Sequence, residues 1–175
     1  QFTYIKNAYQ AVVVQQPSVN ANPKLIIKQS IIDNAFDAGI LCSKSFVTAE
    51  NVLISNCGRN IRAEQGGVYS FTHCTCAAYS NEFIFHKYAA VYLSDVNDNN
   101  QTAPLSVLLR NCIFYGDAGF VDNEIQTLRG GTGAFNVSVD HCLYRAVIDA
   151  ANATFISSIK NLDPLFDSID IQHRY

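Results

Sequence analysis

The 175-residue chain contains no methionine and no tryptophan, and only 15% of its residues are charged. Typical soluble domains carry roughly 25% charged residues, so this shortage argues against a charge-rich helical bundle or coiled coil. The formal net charge of −3 lacks the basic excess of nucleic-acid-binding domains, and we expect no nucleic-acid partner. The longest apolar runs, such as residues 11–14, are too short for a transmembrane helix. Apolar residues still form 49% of the chain, enough for one packed domain over residues 1–175.

Short apolar runs are the main secondary-structure signal. Clusters of Asn, Gly, Asp and Ser separate them, which is typical of strands joined by turns rather than of long helices. Clear examples are residues 25–27, 52–54, 107–109 and 137–139. The chain is therefore expected to be all-β.

Several of these strands end in a common pattern of an apolar residue, a polar residue, Asn or His, and Cys. The copies are residues 54–57, 71–74, 109–112 and 139–142. Two earlier copies, at residues 5–8 and 27–30, carry Ala or Ser in place of Cys and, in the second, Gln in place of Asn or His. The unequal spacing of the copies favours a coil of short strands with loops of variable length.

The third position of the pattern predicts a structural ladder. Its members are Asn7, Gln29, Asn56, His73, Asn111 and His141. Asn and His are among the residues that best tolerate the left-handed backbone conformation of a sharp corner. Stacked at the strand spacing of about 4.8 Å, such side chains can hydrogen-bond from one rung to the next.

The fourth position includes four of the six cysteines, Cys57, Cys74, Cys112 and Cys142. Small, buried thiols in one interior column are the favoured interpretation. Disulfides and a zinc site remain alternatives, although a zinc site prefers paired ligands such as C-x₂-C.

The stretches most typical of a known family are residues 4–8, 66–74 and 161–166, together with the Asn-Cys and His-Cys corners. Through them the chain resembles the right-handed parallel β-helix proteins of the pectate-lyase-like superfamily. More narrowly, it resembles exported β-helix lipoproteins of Bacteroidetes-type bacteria. The resemblance covers residues 2–167 and implies a single-stranded solenoid of about six coils.

The same resemblance implies an exported protein, periplasmic or on the outer cell surface, with polysaccharide as its partner. We expect this chain to be the C-terminal part of a longer exported protein, with the rest packing on the N-terminal end.

The resemblance also suggests where catalysis would be sought. Polysaccharide-cleaving members of the superfamily use paired carboxylates, or calcium with a basic residue, on the outer face of one sheet. The outward column next to the ladder supplies the catalytic candidates Arg110, Asp140 and Lys28. The alternative is an ordinary solvated face of mixed charge. The motif strings of polygalacturonase-type hydrolases do not occur in this sequence, which argues against an enzyme.

A dense aromatic segment supplies the candidates for ligand binding, Tyr79, Phe83, Tyr88 and Tyr92. Aromatic rings stack on sugar rings, but the same residues can also pack in a core.

The oxygen-rich residues 95–102, with Asp95 and Asp98, make a weak calcium candidate. The segment lacks the glycine and the distal glutamate of an EF-hand loop, so a surface loop is favoured. No other metal and no cofactor are expected.

These observations favour a non-catalytic, exported or cell-surface domain associated with glycans as a binding or scaffold module. A polysaccharide lyase or glycoside hydrolase acting on acidic polysaccharide is the first alternative. A purely structural or adhesin-type spacer is the second.

Overall fold

The structure is a computed structural model, which describes residues 2–117 and 119–167. These residues form strands and turns without a helix, so the all-β prediction is confirmed. The strands are β1 Tyr4–Gln15, β2 Leu25–Ser55, β3 Arg59–Thr72, β4 Thr75–Ala78, β5 Val91–Ser94, β6 Leu105–Arg110, β7 Ile113–Gly116, β8 Ile125–Leu128, β9 Phe135–Asp140, β10 Leu143–Tyr144, β11 Ala153–Ile156 and β12 Ile159–Lys160. Since the described part of the chain contains no helix, it has none that could cross a membrane.

All strand ladders are parallel, and together they form one sheet that curls round an axis. Two neighbouring strands are parallel only if the chain returns to the end of the sheet where the first strand began before it starts the second. A chain of short strands meets this requirement by winding, which gives the solenoid-like shape. The longest strand, β2, bends through several corners and pairs with β1, β3 and β4 over different segments.

The pairing divides the sheet into three rows of stacked strands, which we call faces. Face 1 contains residues 45–50 of β2 and 67–72 of β3, followed by β6, β9 and β11. Face 2 contains the first part of β1, two segments of β2, and β4, β7, β10 and β12. Face 3 contains the second part of β1, residues 38–43 of β2, the first half of β3, and β5 and β8.

The core fills the space between the faces because alternate residues of every strand point inward. On face 1, Val47, Tyr69, Val107 and Val137 occupy successive rungs, and all four are buried. Phe71 lies between Ala49 and Leu109 in the next inward column and has no exposed surface.

The predicted corner residues all adopt the left-handed conformation, with φ values between 48° and 55°. They belong to two corners, however, rather than to the single column that the repeated pattern suggests. His73, Asn111 and His141 follow face 1, whereas Asn7 and Asn56 follow face 2. Gln29 also follows face 1, because the Lys24 N–H donates to the Phe46 carbonyl oxygen and Lys28 pairs with Glu50. The corners also contain Asn51 and Asn34 with positive φ, which the pattern missed. Both corners need the same backbone conformation, so one residue pattern serves both.

The cysteines divide in the same way. The Cys74 backbone N–H donates to Cys112 Sγ at 3.3 Å, and the Cys112 N–H donates to Cys142 Sγ at 3.4 Å, so these three stack at the corner after face 1. Cys57 lies at the corner after face 2, where its thiol contacts the Ser55 carbonyl oxygen. All six cysteines are free and buried.

Candidate ligand-binding surface

Exposed aromatic side chains gather on one side of the solenoid. They are Tyr9, Phe36, Phe83, Phe85 and Tyr88, which we call the aromatic patch, and they line a shared depression of about 200 Å³. Their exposed fractions lie between 43% and 71%. Large apolar side chains clustered at the surface mark interaction sites more often than scattered ones do. The aromatic patch is therefore the main candidate for ligand binding.

The first half of the patch is built by the corner that follows face 2. Ala8 pairs with Ala35, which places Tyr9 and Phe36 on successive rungs, and their rings stack with centroids 5.8 Å apart. In the next rung the chain carries Gly58. A Cβ atom there would lie 2.3 Å from the Phe36 carbonyl oxygen. The aromatic stack therefore stops after two rings, and Gly58 lines the floor of the depression.

The second half of the patch comes from the connection between β4 and β5. Alternation along this segment leaves Phe83 and Phe85 exposed, while Ile84 and His86 are buried. The backbone N–H groups of Phe83 and Ile84 both donate to Asn81 Oδ1 at 2.8 Å, which fixes the turn. The two aromatic side chains are therefore exposed because their neighbours are anchored inside.

A chain of side-chain amides joins the two halves. Asn81 Nδ2 donates to Asn34 Oδ1 at 3.3 Å, and Asn34 Nδ2 donates to Asn7 Oδ1 at 2.7 Å. Asn7 and Asn34 are the corner residues that precede Tyr9 and Phe36 by two positions. The position of the loop is thereby tied to the corner that carries the other two rings.

An ionic cluster around the buried His86 and Glu124 side chains holds the loop from inside. His86 Nδ1 lies 2.7 Å from Asp117 Oδ1, and His86 Nε2 lies 3.1 Å from Glu124 Oε2. Arg145 donates to the other oxygen of Glu124 at 3.0 Å. Burial by itself lowers the pKa of His86, but its hydrogen bonds with the two carboxylates and their negative charge outweigh this and raise the pKa to about 9. Protonated His86 and Arg145 thus balance the two carboxylates.

The same cluster fixes both ends of the loop. The Ser80 backbone N–H donates to Asp117 Oδ2 at 3.1 Å, and the Ala90 N–H donates to Glu124 Oε2 at 3.2 Å. The His86 N–H donates to Ser80 Oγ at 3.1 Å. The sequence alone does not indicate these partners of His86, because the two carboxylates lie 31 and 38 residues further along the chain.

The structure distributes the four predicted binding aromatics over different places. Phe83 and Tyr88 belong to the aromatic patch. Tyr92 lies beside the patch, where the guanidinium carbon of Arg59 is 4.3 Å from the ring centroid of Tyr88 and 5.1 Å from that of Tyr92. Tyr79 lies apart from these, with its ring edge against Phe166 at 6.3 Å, and burial raises the pKa of Tyr79 to about 12.

Sequence reasoning missed Tyr9 and Phe36. A usable signal was present, because each follows the same dipeptide, Asn7-Ala8 in one case and Asn34-Ala35 in the other.

The catalytic candidates lie on the outer edge of face 1, away from the patch. Arg110 and Asp140 occupy adjacent rungs, and Arg110 Nε donates to Asp140 Oδ2 at 2.8 Å. His141 Nδ1 lies 2.6 Å from the other oxygen of Asp140. These hydrogen bonds, from His141 first and Arg110 second, hold the pKa of Asp140 below its usual value. Lys28 pairs with Glu50 at 2.5 Å.

Beside this edge, face 1 forms a broad groove of about 650 Å³. Its lining combines polar residues such as Thr48 and Ser70 with large apolar ones such as Phe46 and Phe135. It does not include Arg110, Asp140 or Lys28. The catalytic candidates therefore form ion pairs between rungs and line no common cavity among those found in the described part of the chain.

The two calcium candidates have different partners. Asp95 is buried, and its carboxylate accepts the backbone N–H groups of Gly130 at 2.6 Å and Gly131 at 3.1 Å. Asp98 is exposed, and its Oδ2 lies 4.0 Å from an Arg62 nitrogen. Within residues 2–117 and 119–167, no three His, Cys, Asp or Glu side chains form a group that could hold a metal ion.

Comparisons with protein-family models, with curated proteins and with solved structures found no match to the chain. The aromatic patch and its supporting cluster are therefore interpreted from their own geometry.

Proposed function

We propose that this protein is a non-catalytic glycan-binding domain built on a right-handed parallel β-helix of about six coils. The left-handed corners and the stacked parallel strands support this architecture, which is that of the pectate-lyase-like superfamily. An exported location, periplasmic or at the cell surface, would bring the domain to its ligand.

The observation that carries the proposal is the aromatic patch itself. Sugar rings present an apolar C–H face that stacks on aromatic side chains, much as aromatic rings pack on one another. Polar groups at the margin of the depression can hydrogen-bond sugar hydroxyls. Gln10 and Asp37 are joined there by a hydrogen bond of 2.6 Å, and Lys87 lines the same depression. A mixture of aromatic and polar side chains around one depression is typical of the composition of small-ligand sites.

The absence of paired acids supports a binding role rather than hydrolysis. Glycosidases place two carboxyl groups roughly 5–10 Å apart across the scissile bond. Of the described residues that line the depression, Asp37 alone carries a carboxylate. It is occupied by Gln10 and by Arg62, whose nitrogen lies 3.5 Å away. This arrangement provides recognition without an acid and base pair.

A glycan array followed by affinity electrophoresis tests the proposal. We expect the wild-type protein to bind one or more polysaccharides and the double variant Phe83→Ala/Phe85→Ala to bind roughly five- to hundredfold more weakly, taking for each lost ring contact the roughly 0.5–1.5 kcal/mol of an aromatic pair. Phe120→Ala is the matched control, because Phe120 is 70% exposed but does not line the depression. Equal binding by the double variant would refute the role of the patch. Binding of no glycan by the wild type would favour the structural spacer instead.

A further inference from the structure

The stack of two aromatic rings at the corner after face 2 ends on a ring face that no further ring covers. Tyr9 and Phe36 are stacked with an interplanar angle of 24°, so each ring covers one face of the other. The Gly58 backbone N–H donates to the Ala35 carbonyl oxygen at 3.0 Å, which places Gly58 on the rung next to Phe36. Because glycine has no side chain, the second face of Phe36 stays open, and the residue is 62% exposed.

The backbone at this rung leaves no room for a side chain. A Cβ atom on Gly58 would lie 2.3 Å from the Phe36 carbonyl oxygen and 2.8 Å from that of Asp37. Contacts this short would require the backbone to shift, so the close approach of the two rungs requires glycine. The protein therefore supplies no third ring to the stack.

The loop of residues 79–90 faces the same position from the other side. It leaves from β4, which pairs with the part of β2 that precedes Gly58, and so begins one rung beyond it. The chain of side-chain amides ties the loop back to the corner. Its exposed rings, Phe83 and Phe85, line the same depression as Phe36 and Gly58.

The depression has room for about one ring. Its volume of about 200 Å³ is below the roughly 300–1,000 Å³ of sites that hold drug-sized ligands. A ring stacked on Phe36 would lie roughly 5 Å from it, which is the height of the Gly58 rung. Its other face would then meet the rings of the loop. Asp37 and Lys87 line the same depression and can bind groups at the edge of such a ring.

We infer that the aromatic patch binds one pyranose ring with only equatorial hydroxyl groups, sandwiched between Phe36 and the loop aromatics over Gly58. The inference rests on the proposed function, since it names the sugar that the patch accepts. In the gluco and xylo configurations, both ring faces present axial C–H groups and the hydroxyls point outward at the edge. An axial hydroxyl would be buried against an aromatic ring without a hydrogen-bond partner, which is unfavourable.

The test compares three methyl β-D-pyranosides by NMR titration of the isotope-labelled protein. The glucoside has no axial hydroxyl. The galactoside has one on one face of the ring, and the alloside has one on the opposite face. Because both faces of the bound ring meet aromatic side chains, we expect the glucoside to bind about tenfold more tightly than either of the other two. A platform that contacts only one face would accept one of the two epimers.

Two variants locate the sandwich. Phe36→Leu removes one aromatic wall at an exposed position and should weaken binding of the glucoside roughly two- to twelvefold. It should also reduce the discrimination against one epimer to about twofold or less, because that hydroxyl no longer meets a ring. Tyr9→Leu is the matched control. Tyr9 also lines the depression, but its ring lies on the side of Phe36 away from Gly58, so this variant should keep both preferences.

The outcomes separate the inference from the proposed function. Equal wild-type binding of the glucoside and either epimer, preferences that survive Phe36→Leu, or polysaccharide binding without measurable binding of the glucoside would overturn the inference and leave glycan binding intact. Tighter binding of N-acetylphenylalanine amide than of the glucoside would also overturn it, because the occupant would then be an aromatic peptide side chain. Binding of no pyranoside and no polysaccharide would overturn both the inference and the proposed function.

Discussion

Replacing His86 with Gln should remove a pH-dependent part of the stability of this protein. His86 is 1% exposed and lies between Asp117 and Glu124, of which Glu124 has no exposed surface. Gln can keep one of the two hydrogen bonds but cannot carry the positive charge. The two carboxylates would then be balanced by Arg145 alone.

The size of the effect follows from the pKa of His86, which rises from 6.5 to about 9 on folding. A shift of this size corresponds to about 3 kcal/mol of stabilisation. Because the folded pKa is the higher one, the stabilisation is fully present below about pH 6.5 and is lost as the pH rises towards and through 9. Between pH 6 and pH 8 we expect the wild-type protein to lose roughly 2 kcal/mol that His86→Gln does not lose.

The assay is urea unfolding of both proteins at pH 6, 7 and 8, which gives the free energy of unfolding at each pH. Measurements above pH 8 are avoided because the cysteines also make the free energy of unfolding depend on pH there. Burial raises the pKa of Cys42 and Cys57 to about 12 in the folded state. Unfolded thiols ionise from about pH 8.5, so they weaken both proteins equally above pH 8.

The matched control for this experiment is His73→Gln. His73 is exposed and occupies a left-handed corner that accepts Gln at position 29 of the same chain. This variant should keep the wild-type pH dependence between pH 6 and pH 8. If the difference between wild type and His86→Gln is instead constant across that range, protonated His86 does not hold the cluster together, and our account of the loop is wrong.

Two further predictions concern the solenoid. Phe71→Ala should lower the free energy of unfolding by about 3–5 kcal/mol in urea denaturation, because Phe71 is fully buried and the substitution leaves a cavity; a loss under about 1 kcal/mol would contradict the assigned core. Asn111 has φ 53°, so Asn111→Val should cost about 1–2 kcal/mol and Asn111→Gly much less. Equal thermal stability of these two variants would show that the corner does not require a left-handed residue.

Local requirements explain why much of the fold could be predicted. Strand alternation and the left-handed corner are properties of a few consecutive residues, so 54–57 and 109–112 reveal them without any tertiary information. The same locality explains the error in the ladder. Asn56 and Asn111 adopt the same left-handed conformation at different corners. The four-residue pattern is the same at both corners, so it does not show which face precedes each residue.

The support of the aromatic patch could not be predicted because it depends on which rungs lie side by side. His86 meets Asp117 and Glu124 only after the loops between β4 and β8 are placed over one another. Loop lengths in this region are irregular, so the sequence separation carries no period from which the contact could be derived. Phe83 and Tyr88 were easier to find, since an aromatic cluster is visible in the sequence itself.

The hydrogen-bonded side-chain amides of Asn7, Asn34 and Asn81 connect the two halves of the aromatic patch, which come from distant parts of the sequence. Tyr9 and Phe36 are placed by strand register, which the whole sheet maintains. The loop with Phe83 and Phe85 lies outside the regular strands, and the ionic cluster holds its two ends. The hydrogen bond from Asn81 to Asn34 ties the loop to the corner residue two positions before Phe36. Asn34 therefore connects the loop with the half of the patch that strand register places.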